Sequence, residues 1–519
     1  MRRLLTATLG LCAVLVLASL AKAGGNDAAP LSQADRDALA LAEKIDELIA
    51  LRWKSKGITP AAQADDAEFL RRVSLDIIGR IPGITDVSDF LGNRSPQKRW
   101  ELVKLLLQSD RSSEHFAAVW RAIMFAHVNN QQIGFFNPGF EQYLRARFME
   151  RIGYDKIARE IVTAQPNAGN GPALFYQANE NKLENLAAAT SRLFLGVKIE
   201  CAQCHNHPFA KWSRSQFWEY AAFFSGTPTG QHMGKPAALA IPGTEKKVDA
   251  RFLDGTEPEW KKDVDRRAQL ADWLTSPRNP WFARATANRV WEYFFGLGLV
   301  EPVDDFTEDN EPSHPELLDE LARQLASHDF DLTFLVRAIV MSKTYQLTSA
   351  VSHPSQDDAR SFARMAVRGM SAEQLFDSLA VATNFHDHGA SYDPRLGRPF
   401  NPGGSRADFL ARFPNQDRRT ETQTSILQAL YFMNGKLTVD ATTLKSNDNL
   451  RAIAEARNVS QEKRIQELYM ISLSRKPRPE ETERLLKYLE SGGPAQDQKT
   501  ALADIFWALL NSTEFFFNH

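Results

Sequence analysis

Cysteine is nearly absent: the 519 residues include only Cys12, Cys201 and Cys204. A scaffold stapled by many disulfides is excluded, and a chain this long with 43% hydrophobic residues buries cores without such help. Blocks of like charge are missing too. The formal net charge is −2, and removing residues 1–23, with Arg2, Arg3, Lys22 and no acid, makes it −5. A nucleic-acid partner would call for a basic stripe, so none is expected. Beyond Leu20 no apolar run approaches membrane-spanning length. No repeat period is evident, and strand-like alternation is scarce. No phosphate-binding glycine loop, Ser/His/Asp set or glycosidase-type carboxylate pair can be assembled from sequence alone.

What is present begins with an export signal. Arg2 and Arg3 precede an apolar run from Leu4 to Leu20, and Ala21-Lys22-Ala23 supplies a small-x-small cleavage site before Gly24. Residues 1–23 are expected to be a signal peptide, with an uncleaved anchor as the competing reading, and 24–31 a polar tether. The mature chain is then expected in the periplasm or at the cell surface, with no membrane association after cleavage.

The remainder reads as mainly α, two helical domains joined by a loop-rich segment with little β structure. Apolar faces at helical spacing recur from residue 32. They include Leu41, Ile45, Leu48 and Ile49, then Phe69, Leu70, Val73 and Ile77, and a helix opening at Ser95-Pro96. One helix is expected over Tyr143–Ala164, and another over Asn181–Gly196 with Gly196 as its C-cap. The pattern lapses at 226–265, taken as a linker with room for a small hairpin. Residues 32–225 and 266–519 are the two domains. A long loop is expected over Asp387–Arg419, and helices resume at Thr424–Met433 and beyond.

The chemistry centres on Cys201-Ala-Gln-Cys204-His205-Asn-His207-Pro208. Cys-x-x-Cys-His is the attachment pattern of a c-type haem. Two thiols three positions apart can add to the two vinyl groups of one porphyrin, and the adjacent imidazole sits under the iron. Cys201, Cys204 and His205 are therefore the candidate cofactor residues, with His205 on the haem iron. Other readings stay open: a disulfide, or a Zn or Fe ion held by these residues and His207. His115, Met124, His127, His232 and Met233 are candidate second axial ligands, each weighed against simple packing or a solvated loop. The aromatics Phe209, Trp212, Phe217, Trp218, Tyr220, Phe223 and Phe224 read either as porphyrin walls or as helix core. Residues Asp304–Glu311 form an acidic loop without the spacing of a calcium loop, expected to be solvated. Asp304, Asp305 and His314 are a weaker hydrolase candidate.

Leu195-Gly-Val-Lys-Ile-Glu-Cys-Ala-Gln-Cys-His-Asn-His-Pro-Phe209, Lys211-Trp212 and Ala221-Ala-Phe-Phe224 resemble the cytochrome-like PSCyt domain of planctomycete secreted proteins. Leu270-Ala-Asp-Trp-Leu-Thr-Ser-Pro277, Asn288-Arg-Val-Trp291, Gly298–Phe306 and Pro312-Ser-His-Pro-Glu-Leu-Leu318 are similar to the PSD domain that accompanies it. The resemblance continues through Ala429–Gly435 and Trp507–Phe515. Both domains are of unknown function. The resemblance implies haem at Cys201, Cys204 and His205, and either a redox partner or work within a surface polysaccharide system. The competing expectation is a haem-free helical scaffold or carbohydrate-associated binding module.

Overall fold

The computed structural model describes residues 31–128, 133–226, 233–385, 391–393, 398–400, 405–412 and 435–519. The expected signal peptide, nearly all of the expected tether, His232, most of the loop expected at 387–419 and the helix expected at 424–433 lie outside the described residues. What is described is mainly helical.

Local chemistry sets the first elements. Ser32 caps α1 (Gln33–Lys56) by accepting the Asp35 N–H at 3.1 Å, and Gly57, at φ +64°, ends it. The α1 face of Leu41, Ile45 and Ile49 is buried, and the helix packs on α14 (Leu332–Met341). Between them in sequence lie α2 (Asp66–Ile78), α3 (Ile84–Gly92), α4 (Lys98–Gln108), α5 (Asp110–Phe125) and α6 (Ile133–Met149). Next come α7 (Tyr154–Val162), α8 (Ala173–Ala178), α9 (Leu183–Thr190), α10 (Arg214–Ala221), α11 (Arg266–Leu274), α12 (Phe282–Phe295) and α13 (Pro315–Ser327). Ser95-Pro96 forms a turn just ahead of α4 rather than its first residues, with the Ser95 hydroxyl accepting the Gln97 N–H.

The helix expected over Tyr143–Ala164 is instead two helices, α6 and α7. Arg151 takes φ +53°, and Gly153 lies so close to the Asp329 carbonyl that an added Cβ would sit 2.2 Å from it. The Tyr154 N–H then bonds the Phe330 carbonyl at 3.0 Å, so a contact from far along the chain overrides the helical periodicity.

After α14 the described chain continues through α15 (Ala372–Thr383), α16 (Ser405–Arg412), α17 (Lys436–Ala441), α18 (Asp448–Glu455) and α19 (Gln461–Leu473). It closes with α20 (Pro479–Ser491), α21 (Gln498–Leu510) and α22 (Thr513–Phe516). Strand structure among the described residues is confined to antiparallel pairs: Leu239–Ala240 with Lys247–Val248, Arg368–Gly369 with Phe517–Asn518, and Ser391–Asp393 with Arg398–Phe400. The first is the hairpin anticipated in the 226–265 segment.

One hydrophobic core runs from Ala38 to Met365, is joined by Met470, and takes in Ile241, Val248 and Leu253 from that segment. A second gathers residues from Ala372 to Phe515 together with Leu75 and Ile81 of the α2 end. The packing break thus falls near residue 370, whereas regular structure lapses at 226–265. The cores are joined by α2, nearly all of which is buried, including Arg71, Arg72 and Asp76. Asp76, fully buried, accepts two hydrogen bonds from Arg368 (3.0 and 2.7 Å), one from Tyr345 Oη (2.8 Å) and one from Asn518 Nδ2 (2.8 Å). Arg71 donates to the carbonyls of Ser472 and Phe515 at 3.1 and 2.9 Å. Through these bonds the buried charges of α2 fasten the C-terminal strand to the first core.

Candidate functional site: a thiol and imidazole turn beside an aromatic cleft

The helix that delivers the chain to the motif changes its winding first. α9 passes into a π-helical turn at Ser191–Leu195, which ends at Gly196 with φ +66°. An added Cβ on Gly196 would lie 2.6 Å from the Phe306 ring, and the Gly196 carbonyl accepts the Phe306 N–H at 3.0 Å. The acidic loop is thereby strapped to the end of this helix. Its first acid is not solvated as expected: Asp304 is buried and ion-paired with buried Arg289. Below the motif lies a second buried guanidinium, Arg192, whose Nε is 3.7 Å from Glu200 at the head of the motif turn.

Residues Glu200–Gln203 form a 3-10 turn anchored by fully buried Ala202. Cys201 lies within this turn and Cys204 is the residue that ends it. Both are exposed free thiols, and His205 beside them is exposed. The turn is pinned from behind by α10: Trp218 Nε1 and Arg214 Nε donate to the Gln203 carbonyl at 3.0 and 3.3 Å. The Arg214 N–H donates to Asn206 Oδ1 at 2.9 Å.

The two histidines of the motif hold opposite tautomers. His205 Nδ1 lies 2.7 Å from the Asn206 carbonyl, which can only accept, so Nδ1 carries the proton and Nε2 keeps its lone pair. His207 Nδ1 instead accepts the backbone N–H groups of Phe209 and Ala210 at 3.2 and 2.9 Å. Its proton therefore sits on Nε2. His207 works as a staple for the loop, and in this state has no nitrogen to offer a metal. No three His, Cys, Asp or Glu side chains converge as a metal site among the described residues.

The donor types suit the attachment of a haem: two unpaired, exposed thiols at one short turn, and an imidazole presenting Nε2. Enclosure is another matter. A cleft of about 470 Å³ opens nearby, but Phe209–Trp212 line it, not the cysteines or His205. The aromatics Phe217, Trp218, Tyr220, Phe223 and Phe224 are buried as core, as is most of Trp212, with Phe223 stacked on Phe252 at 5.1 Å. Two of the candidate distal ligands are otherwise engaged. His115 Nε2 is 2.6 Å from Tyr293 Oη, and Met124 is fully buried. His127 lies exposed in the turn after α5, and Met233 is exposed and bridged to Asp265.

The hydrolase candidates are not brought together either. Asp304 faces Arg289, and Asp305 bonds Asn310. His314 is buried against Ser313 and the Phe362 ring, and burial with nearby Arg52, Lys56 and Arg360 lowers its pKa to about 3.

Residues 44–229 match PSCyt2, a protein of unknown function (DUF1549), and residues 266–408 and 405–489 match PSD1, a protein of unknown function (DUF1553). No curated protein and no solved structure matches the chain.

Proposed function

This chain is a PSCyt2 domain followed by a PSD1 domain, and from that premise we propose that its Cys201-Ala-Gln-Cys204-His205 turn covalently carries one c-type haem in an electron-transferring protein. The observation that supports this most is the His205 tautomer. An Nδ1–H held at 2.7 Å by the Asn206 carbonyl leaves Nε2 as the exposed lone pair beside two free thiols. A hydrogen-bond acceptor on the far ring nitrogen orients metal-binding histidines in the same way. When bound, the haem supplies one-electron redox chemistry.

The rest is done by the chain's own residues. Cys201 and Cys204 would hold the porphyrin, each thiol adding across one vinyl group to form a thioether. Asn206, anchored through Oδ1 to the first N–H of α10, keeps the imidazole in the ligating tautomer. Ala202 and Trp218 keep the turn fixed to the core. A site exposed on one side leaves the group open to a redox partner.

The test is the visible spectrum of protein exported from a host with c-type haem maturation machinery, paired with a denaturing gel stained for haem peroxidase activity. A Soret band and a haem-stained polypeptide, both lost in Cys201→Ala/Cys204→Ala, are the expected results. A colourless, folded protein from the same host would refute the proposal.

A further inference from the structure

We infer that the cleft beside the motif is a binding site for an ammonium or guanidinium group carried on an apolar stem. The inference does not depend on haem at the cysteines. It starts from the one large apolar side chain near the motif that packing does not explain. Phe209 is 86% exposed, the most exposed large hydrophobic among the described residues. Its exposure is built in. His207 Nδ1 accepts the Phe209 and Ala210 N–H groups, the His207 N–H bonds the Trp212 carbonyl at 2.8 Å, and Trp212 itself is buried. A closed, hydrogen-bonded turn rooted in the core thus holds a phenyl ring out in water on the lip of the cleft. An apolar ring fixed in that position gains by being covered.

The cleft lies between this turn and the loop at Phe306–Pro312, with Trp281 and Arg284 completing the part of the lining that matters here. It is therefore shared between the PSCyt2-matching and PSD1-matching regions, a preferred location for ligand sites. Its charges select the ligand. Both cations in the lining are already neutralised: Lys211 pairs with Glu308, and Arg284 with Asp319 at 3.1 Å. Asp309 and Glu311 also line the cleft and are exposed, and no ion pair holds either carboxylate among the described residues. Arg360, outside the lining, reaches only the Glu311 carbonyl, at 3.4 Å. What remains is an aromatic lining, Phe209, Trp212, Trp281 and Phe306, beside two uncompensated carboxylates. Aromatic faces attract cations through the ring quadrupole, and the carboxylates add Coulomb attraction at the same spot. An anion would meet like charge, and a neutral ligand would leave the carboxylates unused.

The experiment is calorimetric titration of the full chain with two probes, butylguanidinium and an arginine-bearing hexapeptide. Saturable binding that weakens as ionic strength rises is expected for both. Tighter binding of the hexapeptide identifies a polypeptide as the source of the cation, and equal binding identifies a small amine. Phe209→Ala, and separately Asp309→Asn/Glu311→Gln, should each weaken binding about tenfold. His207→Ala, which releases the turn, should weaken it as well. Leu105→Ala, at an exposed apolar residue on α4, should leave it unchanged and controls for general loss of surface hydrophobicity. Circular dichroism should be unaltered in the Phe209 variant, because so little of that side chain is packed. The inference is overturned if neither cation saturates, if a neutral hexasaccharide binds where the cations do not, or if either set of lining variants binds like the parent.

Discussion

Replacing Asp76 by alanine should cost more stability than any other single side-chain truncation in the bridge between the two cores. The carboxylate is fully buried and accepts four hydrogen bonds, two of them from Arg368, which is also fully buried. Without it Arg368 keeps one bond, to the Tyr293 carbonyl at 3.0 Å, and Tyr345 Oη and Asn518 Nδ2 lose this acceptor. Breaking a buried pair in this way costs roughly 3–5 kcal/mol, because a charge stays buried without its counter-charge. Removing both charges is different. Asp76→Leu combined with Arg368→Met removes the desolvation cost of both ions, so the double variant should be more stable than either single one. Urea unfolding followed by circular dichroism and by tryptophan fluorescence measures each corner of the cycle, and coincident transitions would show that both cores unfold together. An Asp76→Ala cost below about 1 kcal/mol, or a double variant that merely sums the two singles, would refute the reasoning.

Two other predictions concern groups near the cleft. His314 has its pKa lowered from 6.5 to about 3, first by burial and then by Arg52, Lys56 and Arg360. The native state therefore binds fewer protons than the unfolded state between those values, and this stability, complete above pH 6.5, is lost as pH falls toward 3. His314→Gln should flatten the fall in stability between pH 6.5 and 5, where few carboxylates titrate; an unchanged slope would contradict it. Gly196→Ala should destabilise by about 1–3 kcal/mol in the same urea assay, because the position requires positive φ and its Cβ would meet the Phe306 ring. It should also weaken cation binding in the cleft by displacing the acidic loop, and parental stability with parental binding would contradict this.

How far the sequence alone reached can be judged from individual residues. Gly196 was legible as a helix end because only glycine takes positive φ without cost. The motif turn and the small hairpin were legible because spacing and turn residues act locally. The buried charges of α2 were not, since the groups that satisfy Asp76 come from Tyr345, Arg368 and Asn518, hundreds of residues away. The break at Gly153 and the burial of Asp304 were hidden for the same reason: Asp329, Phe330 and Arg289 decide them through space. The opposite tautomers of His205 and His207, two positions apart, depend on which backbone group each ring meets. Residue identity carries no such information. A histidine whose near neighbours include an aromatic and a tight turn was a signal for the staple, but spacing alone could not separate it from a ligand.

The central claim rests on Cys201, Cys204 and His205, and intact-mass measurement of the exported chain tests it most directly. The expected result is a species heavier than the unmodified polypeptide by one haem, with the added mass mapped to the peptide containing Cys201 and Cys204 and absent from Cys201→Ala/Cys204→Ala. A chain of unmodified mass from a host that matures other c-type cytochromes, with both cysteines open to alkylation or joined to each other, would contradict it.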